Sequence, residues 1–400
     1  SILVDTPGRF LAWGHYDETG MDYVTAETPT ELSIFSDVPI MKVSSLAGHT
    51  LLLLASGEIF CFGVNDYGQC GLGHQQAVVV PERITYFDSL SSDGCWDCQS
   101  RVDFFVSGQQ TSIFVVNGDV YTAGGDFVDD SGYEGVDYYL AGGGGDAGGI
   151  GKVTGELPSG SAHYVSRCGR GAYVFTNSSI FYWGATEMSG AGVYDPQVLP
   201  TPNEASWLNS LGVYHIFDSA YDHAFALALS DDGSRSLIAW GDNSGGVLGA
   251  GDGSAWSTVF APVVIDLAEL PFGAHQIINV IAGESHAFIL PTSGTLFGAG
   301  AADMGQLGAS RDFEETSFVE VEGVSSVSTV AVAGSTSTAL TRGGELLVWG
   351  NCDAASAALC CLADDSGVYA AEPMACATDA IDPMFLSGVA GGSAHFSAWV

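Results

Sequence analysis

Along almost the whole chain, short apolar runs alternate with tight polar or glycine-bearing turns. Runs at 50–54, 59–62, 112–116, 173–175, 225–229 and 346–349 are rich in β-branched, aromatic or leucine side chains and end at Gly, Asp, Asn or Ser. That is the pattern of buried strands bounded by turns. No stretch keeps apolar residues at the three- and four-residue spacing of an amphipathic helix between recognisable caps. The pattern predicts an all-β chain. Glycine supplies the punctuation: 54 of the 400 residues are Gly, nearly twice the usual share of about 7%.

The runs also repeat. Ala47-Gly-His-Thr leads through an apolar run, a Ser-Gly-Glu turn and a second run to Phe-Gly63, followed by Val-Asn-Asp-Tyr-Gly-Gln-Cys-Gly-Leu-Gly73. Ala282-Gly-Glu-Ser-His leads in the same way to Gly300 and Asp-Met-Gly-Gln-Leu-Gly308, and His223 leads to Trp-Gly241 and Val-Leu-Gly249. Weaker copies centre on Gly124, Gly184 and Gly350. With Gly14, the glycines closing the second run number seven. Gly14 has no upstream strand of its own, and the C-terminal stretch 390–400 is an upstream strand with no sequel. One blade is therefore expected from both chain ends, pairing 9–14 with 394–400. That closes a ring and removes its free sheet edges. The expectation is a single domain over residues 1–400, a closed seven-bladed β-propeller whose terminal strands share one blade. Three stretches exceed the unit and read as inter-blade excursions: 88–101, 126–160 and 352–376.

The motif Ala-Gly-x-x-His, apolar run, turn, apolar-Trp-Gly-x-Asn-x-x-Gly-Gln-Leu-Gly resembles the repeat of the regulator of chromosome condensation family. The resemblance implies the same seven-bladed ring sealed by the terminal strands. It leaves function open, because the family spans nucleotide exchange, ubiquitin-ligase scaffolds, photoreceptors and secreted bacterial inhibitors.

Charge narrows the partners. The chain carries 47 Asp and Glu against 10 Lys and Arg, a formal −37, and its lysines are Lys42 and Lys152. Such a surface lacks the aligned cations that track phosphates, so nucleic acid is not an expected partner. No apolar run reaches the 18 or so residues of a membrane span. Ser1 in place of an initiator Met fits a processed mature terminus or a trimmed chain, and both stay open.

Candidate chemistry is sparse. His49, His223, His286 and His395 share one repeat position, each in a different unit. This reads as a structural role, with ring nitrogens bonded to neighbouring backbone, rather than as a metal ring. Gly143-Gly-Gly-Asp-Ala-Gly148 has dinucleotide-loop spacing but no helical period after it, and reads as surface loop. No nucleophile constellation occurs, so an enzyme is not expected and no cofactor is implied. Asp126, Asp129, Asp130, Glu134 and Asp137 crowd one stretch with hard oxygen ligands, which makes calcium the candidate ion. Of nine cysteines, Cys61 and Cys70 flank one strand end and its loop, and Cys95 and Cys98 share an insertion. Cys352, Cys360, Cys361 and Cys376 are expected to form two bridges in the last excursion, their pairing open. Cys168 is expected to be unpaired. Asn177-Ser-Ser179 is a glycosylation acceptor pattern at a hairpin turn. Trp96, Tyr133, Tyr138, Tyr139 and Tyr369 stand at otherwise polar positions and are the interface candidates.

Taken together, the sequence favours a non-enzymatic secreted or cell-surface binding module. It would act through the loops of the propeller faces on a protein partner or on copies of itself, assembling into filaments or arrays. The alternative is a cytoplasmic or nuclear regulator resembling the family's guanine-nucleotide exchange factors, binding a small GTPase.

Overall fold

The computed structural model describes residues 10–14, 26–31, 35, 38–45, 48–90, 102–108, 110–125, 148–169, 171–185, 189–192, 198–219, 221–251, 258–308, 314–351, 369–375, 388–391 and 395–399. Their strands fall into antiparallel sets of four, and each set is conveniently named by the glycine in its third strand. The Gly63 set is Ile40–Ser44, His49–Leu54, Ile59–Gly63 and Val78–Arg83. The Gly124 set is Val102–Ser107, Thr111–Val116, Asp119–Gly124 and Ile150–Lys152. The Gly184 set is Ala162–Cys168, Gly171–Thr176, Ile180–Ala185 and Val198–Glu204. The Gly241 set is Val213–Phe217, His223–Leu229, Arg235–Gly241 and Val259–Val264. The Gly300 set is Ile277–Ala282, His286–Pro291, Phe297–Gly300 and Glu315–Glu320. The Gly350 set is Val327–Ala333, Thr336–Thr341, Leu346–Asn351 and Tyr369–Ala375. The Gly14 set joins both chain ends: Gly388–Gly391, His395–Trp399, Phe10–Gly14 and Ala26–Glu31.

Phe10 pairs with Trp399 and Gly14 with His395 across that last set. First strands of successive sets touch one another, and the ring closes where Phe10 packs on Phe62, ring centroids 5.9 Å apart. First strands therefore line the axis and fourth strands face outward.

The expectation of seven separate blades needs correction. Ser219, just beyond the first strand of the Gly241 set, forms parallel bridges to Cys168 on one side and Ala282 on the other. These bridges fuse the Gly184 and Gly300 sets into one hydrogen-bonded sheet, so the ring holds six sheets, not seven. The cause is local: the chain leaving Phe217 runs alongside both neighbouring first strands before it turns back at His223.

Second strands are buried throughout in six of the sets or nearly so, as the continuous apolar runs require. The marker glycines solve a steric problem. At Gly300 φ is +111°, and a Cβ there would lie 2.3 Å from the Ser285 carbonyl oxygen. With that approach free, Ala301 donates its N–H to Ser285 O at 2.8 Å and the third strand can leave the sheet. Two strands lie inside stretches read from sequence as excursions: Ile150–Lys152 and Tyr369–Ala375 both form the outer edge of their sets.

Candidate functional site at the axis and its rim

Six of the seven described first strands slip register by one residue at the same place, and Gly388–Gly391 pairs without a shift. The shift lies between Ile40 and Lys42, Val102 and Phe104, Ala162 and Tyr164, Val213 and His215, Ile277 and Asn279, and Val327 and Thr329. A bulge breaks the two-residue alternation, so the extra residue points away and the next one turns back inward. Met41, Asp103, His163, Tyr214, Ile278 and Ser328 are accordingly exposed, while the residue after each is half-buried toward the axis. The start of each first strand pairs with the end of the second, so bulges and second-to-third hairpin turns share one face of the ring. The Gly-rich loops after the third strands lie on the other face.

The inward residues form a chain of contacts around the axis. Lys42 Nζ sits 3.1 Å from the Phe104 ring centroid and donates to Phe105 O at 2.9 Å. Phe104 meets Tyr164 at 4.7 Å, and Tyr164 meets His215 at 5.2 Å. The Tyr164 hydroxyl donates to Ile216 O at 2.8 Å. Burial lowers the Lys42 ammonium to about 8, an effect opposed by the Asp218 carboxylate, which stands on a non-neighbouring set and so faces it across the axis. Burial raises the Asp218 carboxyl, and Lys42 and the Arg167 N–H draw it back down. Burial also lowers His215 and raises Tyr164 and Cys168. These are packed, hydrogen-bonded groups. The buried Cys168 thiol, which donates to Phe217 O at 3.3 Å, is the opposite of an activated nucleophile.

The repeat histidines join neighbouring sets. His49 Nε2 lies 2.8 Å from Ser112 Oγ in the next set, and Ser112 donates its hydroxyl to Gln69 O at 2.7 Å. His286 repeats this with Ser337 at 2.9 Å, and Ser337 with Gln306 O at 3.0 Å. Because each serine proton goes to the carbonyl, the imidazole must be the donor, with its proton on Nε2. At His49 and His286 the expected bond to neighbouring backbone is thus replaced by a bond to a side-chain hydroxyl that passes the link on to backbone. The loop Asn and Gln are equally specific: Asn65 Oδ1 accepts from Cys70 N at 2.9 Å and Gln69 Oε1 from Tyr67 N at 3.0 Å.

The other candidates divide by position. Cys61 and Cys70 are joined by a disulfide, and Asn177 is exposed in the turn before Ile180. Tyr369 lies in an outer strand opposite Asn351. Cys95, Cys98, Trp96, Asp126, Asp129, Asp130, Tyr133, Glu134, Asp137, Tyr138, Tyr139, Cys352, Cys360, Cys361 and Cys376 lie outside the described residues. Among the described residues, no group of three or more His, Cys, Asp or Glu side chains could hold a metal. No described helix is long and apolar enough to cross a membrane. Reasoning from sequence missed the bulge rim and the serines that receive the histidines. The detectable signals were an apolar residue at 41, 214 and 278 where other repeats carry Asp103, His163 and Ser328, and a Ser one place after the histidine position.

Ring, bulged inner strands and repeat-bound loops define the class: an all-β propeller built from one recurring unit and presenting two loop-bearing faces. The regulator of chromosome condensation (RCC1) repeat matches residues 56–94. Mouse Protein RCC2 is 34% identical over 90 residues, 22% of this chain and 17% of that protein. The human RCC1-like G exchanging factor-like protein is 27% identical over 305 residues, 73% of this chain and 60% of that protein. Prp20p from Saccharomyces cerevisiae shares the fold at a TM-score of 0.76 and 18% identity, over 99% of this chain and 92% of that one. The chain thus carries a match to the RCC1 repeat at residues 56–94 and shares the propeller fold of Prp20p, while spanning under a fifth of the length of mouse RCC2.

Proposed function

We propose that the protein is a non-enzymatic regulator inside the cell that works by contact, binding a small GTPase and promoting exchange of its guanine nucleotide. The observation that carries this reading is the similarity to the human G exchanging factor-like protein across most of the ring. The yeast Prp20p structure, described with its binding to Gsp1p and histones, supports protein contact as the way a ring of this shape is used. Exchange suits a site without an activated acid, base or nucleophile. It requires only that the regulator bind the nucleotide-free partner more tightly than the loaded one. The test is release of a fluorescent GDP analogue from a panel of small GTPases. One member should release it faster with substoichiometric protein present, and no acceleration with any member would contradict the reading.

A second reading rests on the Cys61–Cys70 bond and the exposed Asn177, which together suit a secreted binding module. Thiol alkylation of protein taken directly from its native compartment decides between the two. Free Cys61 and Cys70 favour the intracellular regulator, and a blocked pair with a glycan on Asn177 favours the secreted module.

A further inference from the structure

Among the described residues, the large apolar side chains most exposed to solvent are Met41, Val80, Leu211, Tyr214, Leu229, Val264 and Ile278. Five of these seven gather at the bulge-face end of two adjacent sets. Tyr214 is the bulge residue of the first strand in the Gly241 set, Leu229 ends the second strand, and Val264 ends the fourth. Leu229 donates its N–H to Gly212 O at 2.9 Å, which brings Leu211 beside it. Ile278 occupies the same bulge position on the next first strand around the axis. Strands lie about 4.8 Å apart, so a stripe running from axis to outer edge is roughly 15 Å long, the footprint of one peptide segment.

Its surroundings are acidic. Asp231 and Asp232 are exposed in the hairpin turn after Leu229, and Asp266 and Glu269 are exposed in the connection after Val264. Arg235 is the single Lys or Arg between Arg170 and Arg311, and it lies over the Tyr214 ring with its guanidinium carbon 5.8 Å from the centroid. An apolar stripe rimmed by carboxylates complements a segment with apolar anchors and flanking cations. A second copy of this chain is the wrong occupant, because it would bring the same carboxylates to a surface that already carries them.

We infer that the bulge face of the Gly241 and Gly300 sets docks a basic, apolar-anchored segment of a protein partner. This rests on the reading that the protein acts by contact, and it assigns the face and the chemistry. The probe is a synthetic amphipathic peptide of Leu and Lys, titrated by fluorescence anisotropy, with a Ser-for-Leu peptide of equal charge beside it. Native protein should bind the Leu/Lys peptide at least about tenfold more tightly than the Ser/Lys peptide. Leu229→Asp with Ile278→Asp should remove that preference, while Val80→Asp, at an exposed strand site on another set, should keep it. Matching melting temperatures establish that the variants are folded. Equal binding of the two peptides by native protein, or a preference that survives L229D/I278D, overturns the assignment. Because no GTPase enters this experiment, its failure is distinct from failure of the exchange reading.

Discussion

At the scale of single residues, the repeat carries its own control experiment. His49 and His286 each reach a serine in the next set, but the residue at the matching strand position after His223 is Ala287, which offers no hydroxyl. Ala287→Ser should therefore stabilise the fold by about 0.5–1.5 kcal/mol, the usual net worth of a buried hydrogen bond. Urea unfolding would show this as a higher midpoint at unchanged slope, and a lower midpoint would mean the site has no room for the hydroxyl. The same histidines make stability depend on pH. Burial lowers His223 to about 4 and His286 to about 3, each below the ordinary value of 6.5. Below pH ~6.5 the unfolded chain takes up protons that the folded chain refuses, so their contribution must fall as pH drops from ~6.5 toward ~4 for His223 and ~3 for His286. His223→Gln with His286→Gln should flatten the acid side of the stability profile relative to the native protein, and parallel profiles would contradict it. Sequence placed the histidines but not their partners, because the receiving serine lies 63 residues away from His49 and 51 from His286.

At the scale of elements, the loop after each third strand shows how one position can be filled in different ways. Two residues before and seven after the marker glycine stand Ala239 and Leu248, Gly298 and Leu307, and Cys61 and Cys70. A Cβ on Gly298 would lie 3.0 Å from Leu307, so the pair is a true contact. The disulfide thus replaces apolar packing in a loop that Asn65 and Gln69 also hold in place. Cys61→Ala with Cys70→Leu should match the reduced native protein to within about 1.5 kcal/mol. The oxidised native protein should exceed both by about 2–3 kcal/mol, measured by unfolding with and without reductant. A larger loss in the double variant would show that this loop depends on the cysteines in a way its counterparts do not. Strands that repeat the apolar–turn–apolar pattern were legible in the sequence. The outer strands were less so: Ile150–Lys152 has three residues, and Tyr369–Ala375 contains Pro373. The bulges were hidden as well, since one inserted residue disturbs the alternation without announcing its direction.

At the scale of the molecule, the chain ends make one sheet, and this was legible because each end carried half of a unit. Removing 395–400 strips a strand from between Gly388–Gly391 and Phe10–Gly14 and exposes two edges. The truncated protein should unfold at lower urea with a broader transition, and an unchanged transition would contradict closure by these strands. The number of sheets was not legible, because fusion through Ser219 depends on the path of a connection that the repeat does not encode. Function was legible only as a class, an RCC1-like propeller with a strongly acidic composition. The most direct test is calorimetric titration against the GTPase whose nucleotide release is accelerated. The account predicts that its nucleotide-free form binds at least about tenfold more tightly than its GDP-bound form, since affinity for the regulator and for nucleotide are reciprocally linked. Equal affinity for the two forms would contradict it.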